Sequence, residues 1–225
     1  EGGLDRLADY SLAARARRRQ ATLQRLAELG GIERAALSAT ATLDYDTARF
    51  VYEAMADQYG RYGFSDLNLR PSPYVVSQMN GAYFWLPDGI GGRSPMKDAT
   101  EADRYLDRLG QFAVALDQET EQIRHDAGLG VVPPDFILAK TLRQIATLRD
   151  AAPTGNALTA SALARARDAG IADLDRRASA IFVERIVPAL RRQGEALAAL
   201  LTHCGLPWHE SCLDFHATQG AVRTA

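Results

Sequence analysis

Apolar residues recur along this chain mostly at three- and four-residue intervals, the spacing of one face of an α-helix, and alternating strand-like runs are scarce. Leu4, Leu7, Leu12, Leu23, Leu26 and Leu29 predict a first helix over 4–28, closed by Gly30-Gly31. A second is predicted from Ser38 to Tyr59, with Leu43, Phe50, Val51, Ala54 and Met55 on one face. Residues 60–98 break the period. They hold Pro71, Pro73, Pro87 and Pro95, six glycines and a run of aromatics, and read as one long irregular loop, packed by Tyr62, Phe64, Tyr74, Tyr83, Phe84 and Trp85. Within it, Ser72 and Pro73 could start a helical turn over 74–78.

The helical period returns at Thr100-Glu101-Ala102-Asp103, which approximates a capping box, and continues through Tyr105, Leu106, Leu109, Phe112, Ala113, Leu116 and Ile123 to Gly128. Val131-Val132-Pro133-Pro134 reads as an extended link, with Pro134 set for the first turn of a helix that runs to about Pro153. A short helix over 159–169 and a long one over 174–201 follow, the latter with Pro188 inside and an expected kink there. From His203 onward the period stops, and a boundary is expected near 201–202. The expectation is therefore an all-α, irregular multi-helix domain over 1–201, with one Pro/Gly/aromatic loop and a tail at 202–225.

Composition reinforces the helical reading. The 225 residues include 39 alanines and 24 arginines but two lysines, Lys97 and Lys140. The net charge of −2 gives no whole-chain case for nucleic acid as a partner. No apolar run approaches the roughly 18 residues of a membrane span. The basic run Arg15, Arg17, Arg18 and Arg19 reads as a solvated face balanced by Asp5, Asp9 and Glu28. Glu1 opens the chain without a methionine, so a processed or cut product is expected.

Chemistry-bearing motifs are few. The zinc-peptidase pattern of two histidines one helical turn apart, with a glutamate beside the first, is absent. His125 is followed by Asp126, and His209-Glu210 has Leu213 where the second histidine would stand. Cys204, His209, Cys212 and His216 put four soft ligands within thirteen residues, a weak candidate for a tetrahedral zinc site, against two buried thiols and ordinary histidines. Gly89-Ile90-Gly91-Gly92-Arg93-Ser94 lacks the preceding strand and the Gly-Lys-Ser/Thr ending of a phosphate loop, and reads as a flexible loop. No nucleophile elbow occurs. Tyr74, Gln78 and Tyr83, on the long loop, are the candidate substrate-channel residues; the bland alternative is that they pack that loop onto the helices.

Two resemblances add to this. Pro73-Tyr74-Val75-Val76-Ser77-Gln78-Met79-Asn80-Gly81, Asp103-Arg104-Tyr105-Leu106-Asp107-Arg108-Leu109, the stretch Gly128-Leu129-Gly130-Val131-Val132-Pro133-Pro134-Asp135-Phe136 and Ile186-Val187-Pro188-Ala189-Leu190 resemble, in order, the N-terminal half of a bacterial family known as domain of unknown function 885. That likeness covers roughly residues 1–200. It implies a helical protein related to gluzincin metallopeptidases, a peptide substrate and a zinc cofactor for the full-length protein, and a periplasmic or extracellular location. The family's zinc helix lies beyond the matched part, so no catalytic residue and no cofactor are assigned to this chain. The tail blocks Cys204-Gly205-Leu206-Pro207-Trp208, Cys212-Leu213-Asp214-Phe215-His216 and Val222-Arg223-Thr224-Ala225 resemble a C-terminal segment of bacterial tetratricopeptide-repeat sulfotransferases. That family's phosphosulfate-binding loop has no counterpart here. Two families meeting near Leu200 imply a fusion, a frameshift or a composite chain. The functional expectation is the N-terminal part of a metallopeptidase-like hydrolase, inactive by itself. The alternatives are a non-enzymatic helical interaction module and a sulfotransferase relative.

Overall fold

A computed structural model describes residues 6–64 and 73–203, without the side chains of the last two. Every element among them is helical: α1 (Leu12–Gly30), α2 (Ala39–Arg61), α3 (Ala82–Pro87, continued by a π-helical turn Asp88–Gly92), α4 (Ala99–Gly128), α5 (Asp135–Arg149), α6 (Ala160–Asp168) and α7. The last comprises Leu174–Ile181, a π-helical turn Phe182–Ile186 and Val187–His203. The all-α class is as the periodicity predicts.

The hydrophobic core is built on α4. Tyr105, Leu109, Phe112 and Leu116 form a fully buried stripe on it, and Ile186, Ala189, Leu190 and Leu197 of α7 pack there. Helix α5 covers the other side of α7 with Leu138 and Ile145, while the π turn after α3 packs against α6. Tyr105 donates its hydroxyl to Leu158 O (2.9 Å), tying α4 to the loop before α6. The α1–α2 hairpin stands to one side. Helix α2 packs on α1, and only Tyr45 and Tyr59 of its side chains are buried.

Several boundaries move from their predicted places, each for a local hydrogen-bonding reason. Helix α1 starts at Leu12 rather than at 4. Ser11 caps it by accepting from Ala14 N, and the residues before it are drawn along α4: Leu7 N donates to Gln111 Oε1 (2.8 Å), Tyr10 N to Gln118 Oε1 (2.9 Å), and Gln122 Nε2 to Tyr10 O. The capping box of α4 lies two residues earlier than predicted. Asp98 Oδ1 accepts from Glu101 N (2.9 Å), and Glu101 Oε2 reaches back to Lys97 N (2.6 Å). Asp98→Ala is expected to cost about 1 kcal/mol, read as a shift in the urea midpoint at unchanged slope.

Residues 74–78 do not form a helical turn. Ser77 and Asn80 exchange both backbone hydrogen bonds, and Asn80 Nδ2 donates to Tyr74 O (3.1 Å) and Val75 O (2.9 Å), clasping a tight turn. Nor is the glycine-rich segment a flexible loop. Ile90 is buried, and a Cβ on Gly91 would lie 2.0 Å from Ala157 O, so glycine lets this backbone press against the loop before α6. Pro134 sits at the cap position of α5, one residue before the first turn. At Pro188, which has no N–H for the carbonyl four residues back, the helix contains a π turn directly upstream.

The basic run divides. Arg17 Nη2 pairs with Asp9 (2.7 Å) and Arg18 donates to Asp9 O on the solvated side, whereas Arg15 is buried against α4. Among the described residues no helix is long and apolar enough to cross a membrane.

Candidate functional site

A polar cluster lies inside the helical body where the segment 73–92 crosses α4. Glu119 occupies a core position of α4 and is 3% exposed. Its Oε1 accepts from Ala82 N at the start of α3 (2.7 Å), and its Oε2 from Gln193 Nε2 of α7 (3.2 Å). Among the described residues no cationic side chain pairs with it. Burial pushes its pKa up to about 8, against the opposing pull of the Ala82 N–H and the Gln193 amide. The carboxyl is therefore mostly neutral at pH 7. Gln193 Oε1 is buried without a partner among the described residues. When the carboxyl is protonated, the Gln193 amide can turn over so that its oxygen accepts from the Glu119 hydroxyl.

Tyr83 follows directly on this clamp. It is buried, and its hydroxyl lies 2.7 Å from Ser77 O and 2.8 Å from Gln144 Oε1. One phenolic proton cannot serve two acceptors, so the Gln144 amide satisfies the pair when its Nε2 donates to the tyrosine. Burial raises the Tyr83 pKa and keeps the phenol neutral. Beyond Tyr83 opens a groove of about 350 Å³, lined by Phe84, Pro87, Gln144 and Leu148.

The second polar centre joins α1 to the C-terminal end of α4. Asp126, 4% exposed, accepts on Oδ1 from both Arg15 Nη1 and Nη2 (3.1 Å each), with His125 Nδ1 at 2.9 Å from the same oxygen. Its Oδ2 is buried without a partner among the described residues, and Asp126 lines a small cavity with Tyr74, Val75, Val131 and Leu197.

These positions bear on the three candidate channel residues. Tyr74 lines the small cavity beside Asp126, Tyr83 lines the open groove, and Gln78, half-buried with its Oε1 unpartnered among the described residues, lines neither. They do not converge on one cavity. Glu119 and Gln193 carry the buried polar chemistry, and their signal was in the period. Glu119 fills the gap in the stripe Phe112, Leu116, Ile123, and Gln193 stands between Leu190 and Leu197. The candidate ligands Cys204, His209, Cys212 and His216, with the sulfotransferase-like blocks, lie outside the described residues. Among the described residues no group of three His, Cys, Asp or Glu is placed to hold a metal ion, so no step through zinc is derived for them.

This helical body, with its irregular segment clamped on the central helix, has relatives. The family described as "Bacterial protein of unknown function (DUF885)" matches residues 2–208. The chain belongs to this family. The match continues a few residues past the seam expected near Leu200. Among solved structures, "The crystal structure of the putative lipoprotein from Colwellia psychrerythraea" is similar over 88% of this chain, with a TM-score of 0.73 and 18% identity. At that identity the likeness shows a common fold. The chain spans 35% of that protein's length. No curated protein matches the chain.

Proposed function

We propose that this chain is the helical scaffold part of a larger, exported metallopeptidase-like hydrolase, and that by itself it hydrolyses nothing. The observation that carries this reading is the outer face of α2, where Leu43 and Phe50, two helical turns apart, are 67% and 72% exposed. A helix whose main packing partner among the described residues is one neighbour, and which leaves large apolar groups in water, fits the edge of a fold that continues. The chain's span of 35% of the putative lipoprotein from Colwellia psychrerythraea supports the same view, and a lipoprotein relative supports export. The resemblance to gluzincins noted from the sequence blocks supports the hydrolase class. In this reading the clamp of Glu119 on Ala82 N has a positioning role. It fixes the segment carrying Tyr83 to the central helix, so that one wall of a peptide channel is rigid before substrate arrives. The zinc ligands belong to parts of the larger protein outside this chain.

The same α2 face favours a second reading, a non-enzymatic helical module that binds another protein through it. Peptide hydrolysis separates the two. The chain alone is expected to cleave no member of a fluorogenic peptide library and to hold no stoichiometric zinc. The longer protein of which it is a part is expected to cleave peptides in a chelator-sensitive way. A longer protein without hydrolysis leaves the interaction module standing. One zinc per mole of this chain, lost in Cys212→Ala, moves the metal site to the tail.

A further inference from the structure

A groove of about 590 Å³ runs between α4 and the first part of α7, outside both polar centres. Its floor is apolar, with Leu106 and Ile181, and three guanidinium groups, Arg176, Arg177 and Arg185, line it against one carboxylate, Asp107. Arg177 is held by Asp103 (2.6 Å), outside the lining, while Arg176 has its nearest ion-pair partner, Asp173, at 3.8 Å.

Arg185 is placed by two features of the backbone. It lies in the π-helical turn of α7, and its guanidinium rests on Gly110 of α4, where a Cβ would stand 2.5 Å from Nη1. One N–H is spent on Gly110 O (3.2 Å), and a guanidinium has five. Glycine in mid-helix costs about 1 kcal/mol against alanine, so the position gives up helix stability to seat this arginine.

The lining runs from Leu106 to Val114 along α4, about 12 Å at 1.5 Å per residue, which spans three to four residues of extended chain. Within this stretch Gln111 Oε1 already accepts from the backbone N–H of Leu7 (2.8 Å), so α4 holds one non-helical segment by its main chain. We propose that the groove binds an acidic peptide segment, with its carboxylates on Arg176 and Arg185 and its apolar side chains on Leu106 and Ile181. Bidentate guanidinium–carboxylate pairing supplies the preference for acid over amide or base. The proposal is independent of the hydrolase reading, because it concerns binding by this chain alone.

The test is fluorescence anisotropy with a labelled hexapeptide of alternating Leu and Glu, against its Leu/Lys counterpart. The acidic peptide is expected to bind at least tenfold tighter at low salt, and the difference to shrink as salt rises. Arg176→Gln, an exposed change, is expected to weaken binding about fivefold, the upper range of one exposed ion pair. Gly110→Ala is expected to weaken it about as much while leaving the melting temperature unchanged or higher, since the Cβ displaces Arg185 and improves the helix. Equal binding of both peptides, or binding unmoved by Arg176→Gln and Gly110→Ala, overturns the proposal. So does binding that appears only after removal of residues 1–5, or only when the chain is separated from the longer protein, because the groove then serves an internal contact.

Discussion

Raising the pH from 5 to 9 is expected to destabilise this protein, and Glu119→Gln to remove most of that loss. The Glu119 carboxyl has its pKa pushed up to about 8 in the folded chain, against an ordinary 4.5 when solvated. A group with a raised folded pKa binds its proton more tightly in the folded state, so its stabilising contribution is complete below pH 4.5. That contribution declines as pH rises above 4.5 and is lost through pH 8, beyond which the curve flattens. The full swing is on the order of 5 kcal/mol, a large part of the stability of an ordinary domain. The cause is a carboxylate enclosed by α3, α4 and α7 with two hydrogen-bond donors, Ala82 N and the Gln193 amide, and no paired cation among the described residues. Glutamine keeps an oxygen for Ala82 N and offers its own amide to the unpartnered Gln193 oxygen, so near-neutral stability at pH 5 and a clear gain at pH 9 are expected. Urea midpoints of both proteins at pH 5, 7 and 9 give the answer. Parallel curves for the two would show that Glu119 is ionised in the fold.

The second large effect is expected at Gly91. An alanine there would bring its Cβ to 2.0 Å from Ala157 O and 2.9 Å from the Leu158 carbonyl group, all backbone atoms that no rotamer change can move aside. The π turn after α3 would have to separate from the loop before α6. Arg165 Nη2, which donates to Gly91 O (2.8 Å) and Ser94 O (3.1 Å), would lose its seat. Gly91→Ala is expected to cost about 3 kcal/mol, at the upper end of overpacking. Gly89→Ala and Gly92→Ala meet nothing within 4 Å and serve as controls, expected to be neutral to slightly stabilising. Thermal melts of the three variants decide it: a Gly91→Ala midpoint equal to those of the controls would mean the two segments are not in contact.

Glu119 and Gly91 also show where sequence reading ends. The 3.6-residue period of apolar positions, with Ala, Leu and Arg favouring helix, was enough to determine the all-α class and the extents of α2 and α6 to within two residues, because a helix buries one face whatever lies opposite. In that period Glu119 and Gln193 occupy apolar positions, a signal that was not singled out from the sequence. The period could not say that they face each other, since they are separated by 74 residues and meet only when α4 packs on α7. Hydrogen bonds across such distances moved the ends of elements. The glutamines of α4 capture residues 7 and 10 and hold them out of α1, and Asn80 folds 74–80 into a clasp instead of a helical turn. The glycines of 89–92 read as flexibility because a sequence shows the missing Cβ and not the carbonyl that fills its place. Sequence by itself thus determined the all-α class, most of the helical spans and which of their faces are apolar, all set within a few residues of chain. Tertiary structure alone decided which polar groups are buried together, which arginine leaves the solvated run for Asp126, and where backbones touch, because those depend on free energies of desolvation and contact that exist only once distant segments meet.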